Sequence, residues 1–131
     1  MIYDDLGSGK YRITLKIYRD CLGQGAPFDG AGGSAIAWIT VFDADSNLIN
    51  TYNLGAPVIT NIPPSINNPC IQAPTNVCVE EGVYTYTLTL PPHPKGYYVI
   101  YQRCCRNVSI VNLALPDAQG ATYYAKIPGT K

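Results

Sequence analysis

Charge is scarce in this chain: Asp, Glu, Lys and Arg make up 14% of its 131 residues, against roughly 25% in an average soluble domain. The nine basic and nine acidic residues cancel, so no net field draws the protein onto a polyanion, and nucleic acid is excluded as a partner. Histidine is nearly absent. His93 stands alone among prolines, which leaves too few ligands for a His-rich metal site and no general base for a Cys/His or Ser/His/Asp constellation. No G-x-S-x-G elbow occurs. No apolar run approaches the roughly 18–20 residues of a membrane-spanning helix, so no membrane span is expected. Met1 to Leu6 lacks the cationic and apolar regions of a signal peptide, so a signal, if the protein is exported, is expected to have been removed. The end at Lys131, after Ile127-Pro128-Gly129-Thr130, reads as a boundary within a longer chain. Neither an enzymatic activity nor a cofactor is expected.

What replaces the charge is Thr, Asn, Ser, Gly, Pro and eleven tyrosines, the surface chemistry of an extracellular β-protein. Alternation of period two recurs and helical periodicity does not. Tyr11, Ile13, Leu15 and Ile17 fall on one face of the run Lys10 to Tyr18, with Arg12, Thr14 and Lys16 on the other, as a half-buried strand requires. Ala35 to Phe42 is apolar on both faces and predicts a central strand, turned by Asp43 to Asn47 into a partner over Leu48 to Tyr52. Pro57 to Ile62 predicts a short strand. Pro63 to Asn76, with four prolines, predicts a crossing loop. Val83 to Leu90 alternates, with Glu80 and Glu81 as solvated charges before it, and Pro91 to Gly96 is expected to turn it into Tyr97 to Arg103 as a hairpin. Val108 to Leu113 and Thr122 to Ile127 complete the set, and the Gly/Ala/Ser stretch Gly23 to Ser34 is expected to be a mobile loop. These elements predict one domain over residues 1–131, an all-β, immunoglobulin-like antiparallel sandwich of about eight strands, with a jelly roll as its main rival.

Five cysteines in so short and loop-rich a chain predict disulfides and an oxidising compartment. Cys70 and Cys78 flank seven residues, and bridging them would stabilise the fold by about 2–3 kcal/mol in the chain-entropy model. Cys21 is then expected to pair with Cys105, leaving Cys104 as a buried thiol or an intermolecular link; Cys70 or Cys78 to Cys104 stays open, because spacing does not fix connectivity. Asp43, Asp45 and Asn47 form a D-x-D-x-N run, a weak calcium candidate lacking the motif's later Gly and Glu, which a turn held by Asx hydrogen bonds explains equally. Most tyrosines fall at inward strand positions. Tyr97-Tyr98 and Tyr123-Tyr124 are adjacent pairs, so one member of each must face outward, which makes Tyr98 and Tyr124 candidate surface contacts. Asn107-Val108-Ser109 has the form of a glycosylation acceptor.

Several stretches together carry a resemblance: Tyr11-Arg12-Ile13-Thr14-Leu15-Lys16-Ile17-Tyr18-Arg19-Asp20-Cys21, then Cys78-Val79-Glu80-Glu81-Gly82-Val83-Tyr84, then Tyr101-Gln102-Arg103-Cys104-Cys105-Arg106-Asn107. With Leu90-Pro91-Pro92 before Gly96-Tyr97-Tyr98, and Gly120-Ala121-Thr122-Tyr123-Tyr124 near the end, the chain resembles the amino-terminal module of the large surface proteins of gliding bacteria. Those chains often end in a gliding-motility-associated sorting domain and are exported by type IX secretion. The similarity covers nearly the whole chain in order, though the Gly-Gly segment that usually precedes the first strand is missing. It implies a non-enzymatic, cell-surface or extracellular module of an adhesin-like or structural protein. Its partners would be other copies of itself, other surface proteins or a polysaccharide, and edge-strand addition could make it a filament or surface-layer subunit. The alternative is a carbohydrate-binding module using exposed tyrosines, with or without calcium. Arg19, Asp20, Arg103 and Arg106 belong to the shared motifs, and an Arg–Asp ion pair is expected near the disulfide.

Overall fold

The computed structural model describes residues 1–23, 26–64, 70–72, 74–108 and 110–129. Among these residues eight strands form: β1 (Ile2–Gly7), β2 (Lys10–Asp20), β3 (Trp38–Asp43), β4 (Leu48–Asn53), β5 (Val58–Ile62), β6 (Val79–Thr89), β7 (Tyr97–Arg103) and β8 (Ala121–Ile127). They make two four-stranded antiparallel sheets, ordered β1-β2-β6-β5 and β4-β3-β7-β8. This is an all-β sandwich with the strand order of an immunoglobulin-like fold.

The alternation read from the sequence is the alternation of burial. Ile13 and Leu15 from β2, Ile39 and Val41 from β3, Tyr84 and Leu88 from β6, and Val99 and Tyr101 from β7 point inward and are almost fully buried. Their partners on each strand face solvent. Such alternation on both sheets packs the two inner faces against each other.

Four elements differ from expectation. Val108 to Leu113 is not a strand; its described residues lie in turns ahead of a 3₁₀ turn at Pro116–Ala118, while the eighth strand is β1, which a Gly7-Ser8-Gly9 reversal folds onto β2. β6 and β7 are not a hairpin. The prolines at 91, 92 and 94 cannot donate to a ladder, and the chain crosses there from one sheet to the other. β6 starts at Val79, so Glu80 and Glu81 are strand residues with partners of their own: Arg19 Nε donates to Glu80 at 2.7 Å, and the Tyr18 hydroxyl donates to Glu81 at 2.6 Å. Asp20 instead caps the turn that follows, accepting the Leu22 and Gly23 amides, so the ion pair beside the disulfide is Arg19–Glu80.

The fourth difference is the stretch read as a mobile loop, whose residues 24 and 25 lie outside the described set. Phe28 enters the core and is 1% exposed. Its ring lies on β6 where Gly82 leaves space: a Cβ there would stand 2.9 Å from ring atoms Cδ1 and Cε1. Around it the Tyr84 hydroxyl donates to the Asp29 carbonyl at 2.8 Å and the Tyr101 hydroxyl to the Asp29 carboxylate at 2.6 Å. Arg103 donates to the carbonyls of Ala26 and Pro27, and the Arg19 guanidinium sits 5.3 Å from the centre of the Phe28 ring.

The disulfides also differ from both expected pairings. Cys78 bonds Cys21, not Cys70, and Cys104 bonds Cys105. The β2–β6 ladder explains the first: its last pair is Asp20 with Val79, so Cys21 and Cys78 face each other one step further on, with Cα atoms 5.2 Å apart and the Cys21 amide donating to the Cys78 carbonyl. The staple therefore lies within one sheet. Cys105 lies past the end of β7 and is bonded to its neighbour Cys104, while Cys21 is held by Cys78; the backbone of Cys105 is left-handed, with φ of 79°, and its amide donates to the Gln119 carbonyl. Cys70 lies exposed.

Non-reducing peptide mapping is expected to join the peptides of Cys21 and Cys78. Because that bond closes a separation of 57 residues, Cys21→Ser should cost up to about 4 kcal/mol in chemical denaturation. A Cys70–Cys78 or Cys21–Cys105 peptide would contradict the fold at this end. Alkaline pH provides a second test. Burial, then the neighbouring Asp29, pushes Tyr84 up to about 12, and burial with the Asp29 hydrogen bond pushes Tyr101 higher still. A phenol whose folded pKa is raised contributes stability that is complete below the unfolded value near 10 and is lost as pH rises through the folded value. Tyrosinate absorbance should therefore show these two rings ionising last, together with unfolding, above about pH 12; ionisation of every tyrosine near pH 10 in the folded chain would contradict it.

Candidate functional site

The two outer faces of the sandwich differ in chemistry. On the β1-β2-β6-β5 sheet, Arg12 and Lys16 of β2 face outward beside Thr85, Thr87 and Glu81 of β6, with Asp4 of β1 alongside. The same face carries Ile2, Val83, Val58, Val79 and Ile62, each in a row that also holds a charge or a threonine. On the other sheet β3 and β7 put Trp38, Phe42, Tyr98 and Ile100 outward, and β8 adds Tyr124.

Register sets these side chains in rows. Leu48, Phe42, Tyr98 and Lys126 lie across one row, and Thr51, Thr40, Ile100 and Tyr124 across the next. Two adjoining depressions share Phe42 and Ile100. One, of about 350 Å³, is also lined by Trp38, Thr40 and Gln102; the other, of about 280 Å³, by Tyr98, Asp43 and Ser46. Within these rows Lys126 is the only charge, and it lies over the Tyr98 ring at 5.6 Å. The polar groups serve one another: Gln102 Nε2 donates to the Thr122 hydroxyl at 3.2 Å, and the Thr40 and Thr51 hydroxyls meet at 3.4 Å. Covering this face strands few hydrogen-bonding groups, so apolar burial is not cancelled by desolvation.

Both tyrosines singled out from the sequence are here. Tyr98 and Tyr124 have ring centres 6.3 Å apart with planes 54° from parallel. Tyr97, the other member of its pair, is buried and donates to the Pro91 carbonyl, whereas Tyr123 is exposed as well. The sequence did not single out Trp38, Phe42 and Ile100 as surface. Ala35 to Phe42 read as apolar on both faces, and β3 is indeed central, between β4 and β7; no second layer covers its outer side among the described residues.

The Asp43, Asp45 and Asn47 run forms a turn closed by its own hydrogen bonds. Asp43 Oδ1 accepts the amides of Asp45 and Asn47, and Oδ2 accepts Asn47 Nδ2, each at 2.9 Å. These bonds, led by those from Asn47, hold the Asp43 carboxyl below its usual range. Lys95 pairs with Asp45, and His93 Nε2 stands 3.8 Å from the same carboxylate. Among the described residues no three carboxylates, imidazoles or thiolates converge as a metal site. His93 faces Asp43, Asp45 and the Tyr97 ring. Glu80 and Glu81 oppose neighbouring positions of β2 and so face opposite ways. No helix among the described residues is long and apolar enough to cross a membrane. The glycosylation-acceptor triplet includes Ser109, outside the described residues. Comparison of the chain with protein-family models, curated proteins and solved structures finds no match.

Proposed function

We propose that this chain is a non-enzymatic structural or adhesion module of the cell surface or extracellular space, acting through protein–protein contacts made by the outer face of the β4-β3-β7-β8 sheet. One observation carries this: Trp38, Phe42, Tyr98, Ile100 and Tyr124 lie in adjoining rows with Lys126 as the one charge among them, whereas on the opposite face Arg12, Lys16 and Glu81 interrupt the apolar residues. Contiguous apolar surface of this kind marks a contact site, and Trp and Tyr dominate the energetics of such sites. The paired cysteines support an oxidising compartment. The resemblance to modules of gliding-bacterial surface proteins supports the same location and class, and a role in gliding motility or adhesion belongs with that part of the proposal.

A polysaccharide is the second occupant to consider, because Thr40, Gln102 and Thr122 place hydroxyl and amide groups between the rings. Tyr98 and Tyr124 are tilted by 54° and do not form one flat stacking platform, which favours a protein surface whose side chains can fill the depressions.

A photo-crosslinking residue at position 100, on intact cells that carry the protein, is expected to give a discrete protein adduct, and the same probe at position 85, on the opposite face, none. Trp38→Ala should abolish the adduct without changing the melting temperature. Equal crosslinking from both faces would overturn the assignment, and retention on polysaccharide that Tyr98→Ala and Tyr124→Ala abolish would replace the protein partner with a glycan.

A further inference from the structure

The four sheet edges are not equally protected. β1 carries Asp4 and Asp5, and its ladder shifts register between Asp5 and Gly7. β4 meets β3 through a register shift between Val41 and Phe42. β8 carries Lys126 and lies beside β1. β5 has none of these features: Val58-Ile59-Thr60-Asn61-Ile62 holds no charge and no proline, pairs with β6 in unbroken register, and is exposed at all five positions. Val58 is 71% exposed and Ile59 44%. Charges, bulges and prolines are what keep an open edge from pairing with another chain.

We infer that β5 pairs antiparallel with β5 of a second copy of this chain, in the register that sets Thr60 opposite Thr60 on a two-fold axis. This goes beyond the contact face proposed above, which lies on the other sheet.

The strand itself specifies occupant and register. About Thr60 its outward positions are Val58 and Ile62 and its other positions Ile59 and Asn61, so two-fold pairing sets Val58 against Ile62 of the second copy and leaves Thr60 across from its own equivalent, a favourable cross-strand pair. β6 extends the match, because Val83 lies beside Val58 and Val79 beside Ile62. Each half of the joined sheet then carries an apolar row of Val83, Val58, and the second copy's Ile62 and Val79. A slip of one residue would oppose outward to inward positions and turn one sandwich over. Pro57 and Pro63 flank the strand and limit the ladder, since neither can donate to it.

Charge does not oppose the pairing. Glu81, beside Thr60, is matched by Lys16 at 3.4 Å and by the Tyr18 hydroxyl. The two copies of Glu81 would stand three strand spacings apart, about 14 Å, beyond the Debye length at physiological salt. A self-complementary patch of this kind gives a closed two-fold dimer.

Sedimentation equilibrium on the chain from roughly micromolar to millimolar concentration is expected to show a reversible dimer. Thr60→Lys, which sets two ammonium groups face to face, should weaken it at least tenfold without lowering the melting temperature. Val58→Glu alone should weaken it too, and Val58→Glu with Ile62→Lys in the same chain should recover at least part of the loss by opposing unlike charges across the axis. A wild-type chain that stays monomeric throughout, or a Thr60→Lys chain that dimerises like wild type, overturns the inference; a double variant no tighter than Val58→Glu overturns the register. A dimer lost in Trp38→Ala but kept in Thr60→Lys moves the self-contact to the aromatic face, which overturns the edge pairing and leaves the contact-face proposal standing.

Discussion

The seating of the Phe28 ring on Gly82 is the contact on which the rest of the sandwich depends. The chain crosses from β2 in one sheet to β3 in the other through a segment whose one aromatic residue is Phe28, and Phe28 is buried while Leu22 and Ile36 of the same segment are exposed. A ring so placed needs a strand position without a side chain, and Gly82 provides it in the middle of the β2–β6 ladder. Glycine there weakens the strand by itself; here the space is filled by an aromatic ring. The hydroxyls of Tyr84 and Tyr101, one from each sheet, then converge on Asp29, so hydrogen bonds from both sheets hold the residue next to Phe28. Cys21–Cys78 lies at the same end of the β2–β6 ladder as the Arg19–Glu80 pair, whose guanidinium covers the Phe28 ring.

Local periodicity made much of the fold legible. Alternation in Lys10 to Tyr18, Val83 to Leu90 and Tyr97 to Arg103 records a two-sided environment residue by residue, and Asp43 to Asn47 announced a tight turn through its Asx chemistry. What was illegible depends on contacts distant in sequence. β1 carries two acidic residues and no clean alternation, and it is a strand because β2 offers it an edge. Val108 to Leu113 has strand-like composition but no partner edge among the described residues. The crossing segment looked mobile from its glycines, because nothing local tells that Phe28 will find Gly82, fifty-four positions away. Disulfide partners follow register, and the β2–β6 register was not available from spacing.

The candidate contact face was half legible for the same reason. Adjacent tyrosines on a strand must point to opposite sides, which brought out both Tyr98 and Tyr124. Trp38, Phe42 and Ile100 are apolar residues on central strands, where sequence favours burial; that no second layer covers their side of the sheet among the described residues is a property of the architecture. The aromatic face and the β5 edge belong to different sheets, so a copy paired through β5 would still present its aromatic face. The proposed self-association and the proposed partner contact would thus use separate surfaces of one small domain.

A double-mutant cycle at positions 28 and 82 tests the central contact most directly. Gly82→Val alone should destabilise the chain by about 1–3 kcal/mol through overpacking, and Phe28→Ala alone by about 3–5 kcal/mol through the lost ring. Combined, the two should cost clearly less than their sum, because the valine then occupies the emptied space. Strict additivity in urea denaturation would mean that the ring does not rest on Gly82, and the account of how the two sheets are locked together would fail.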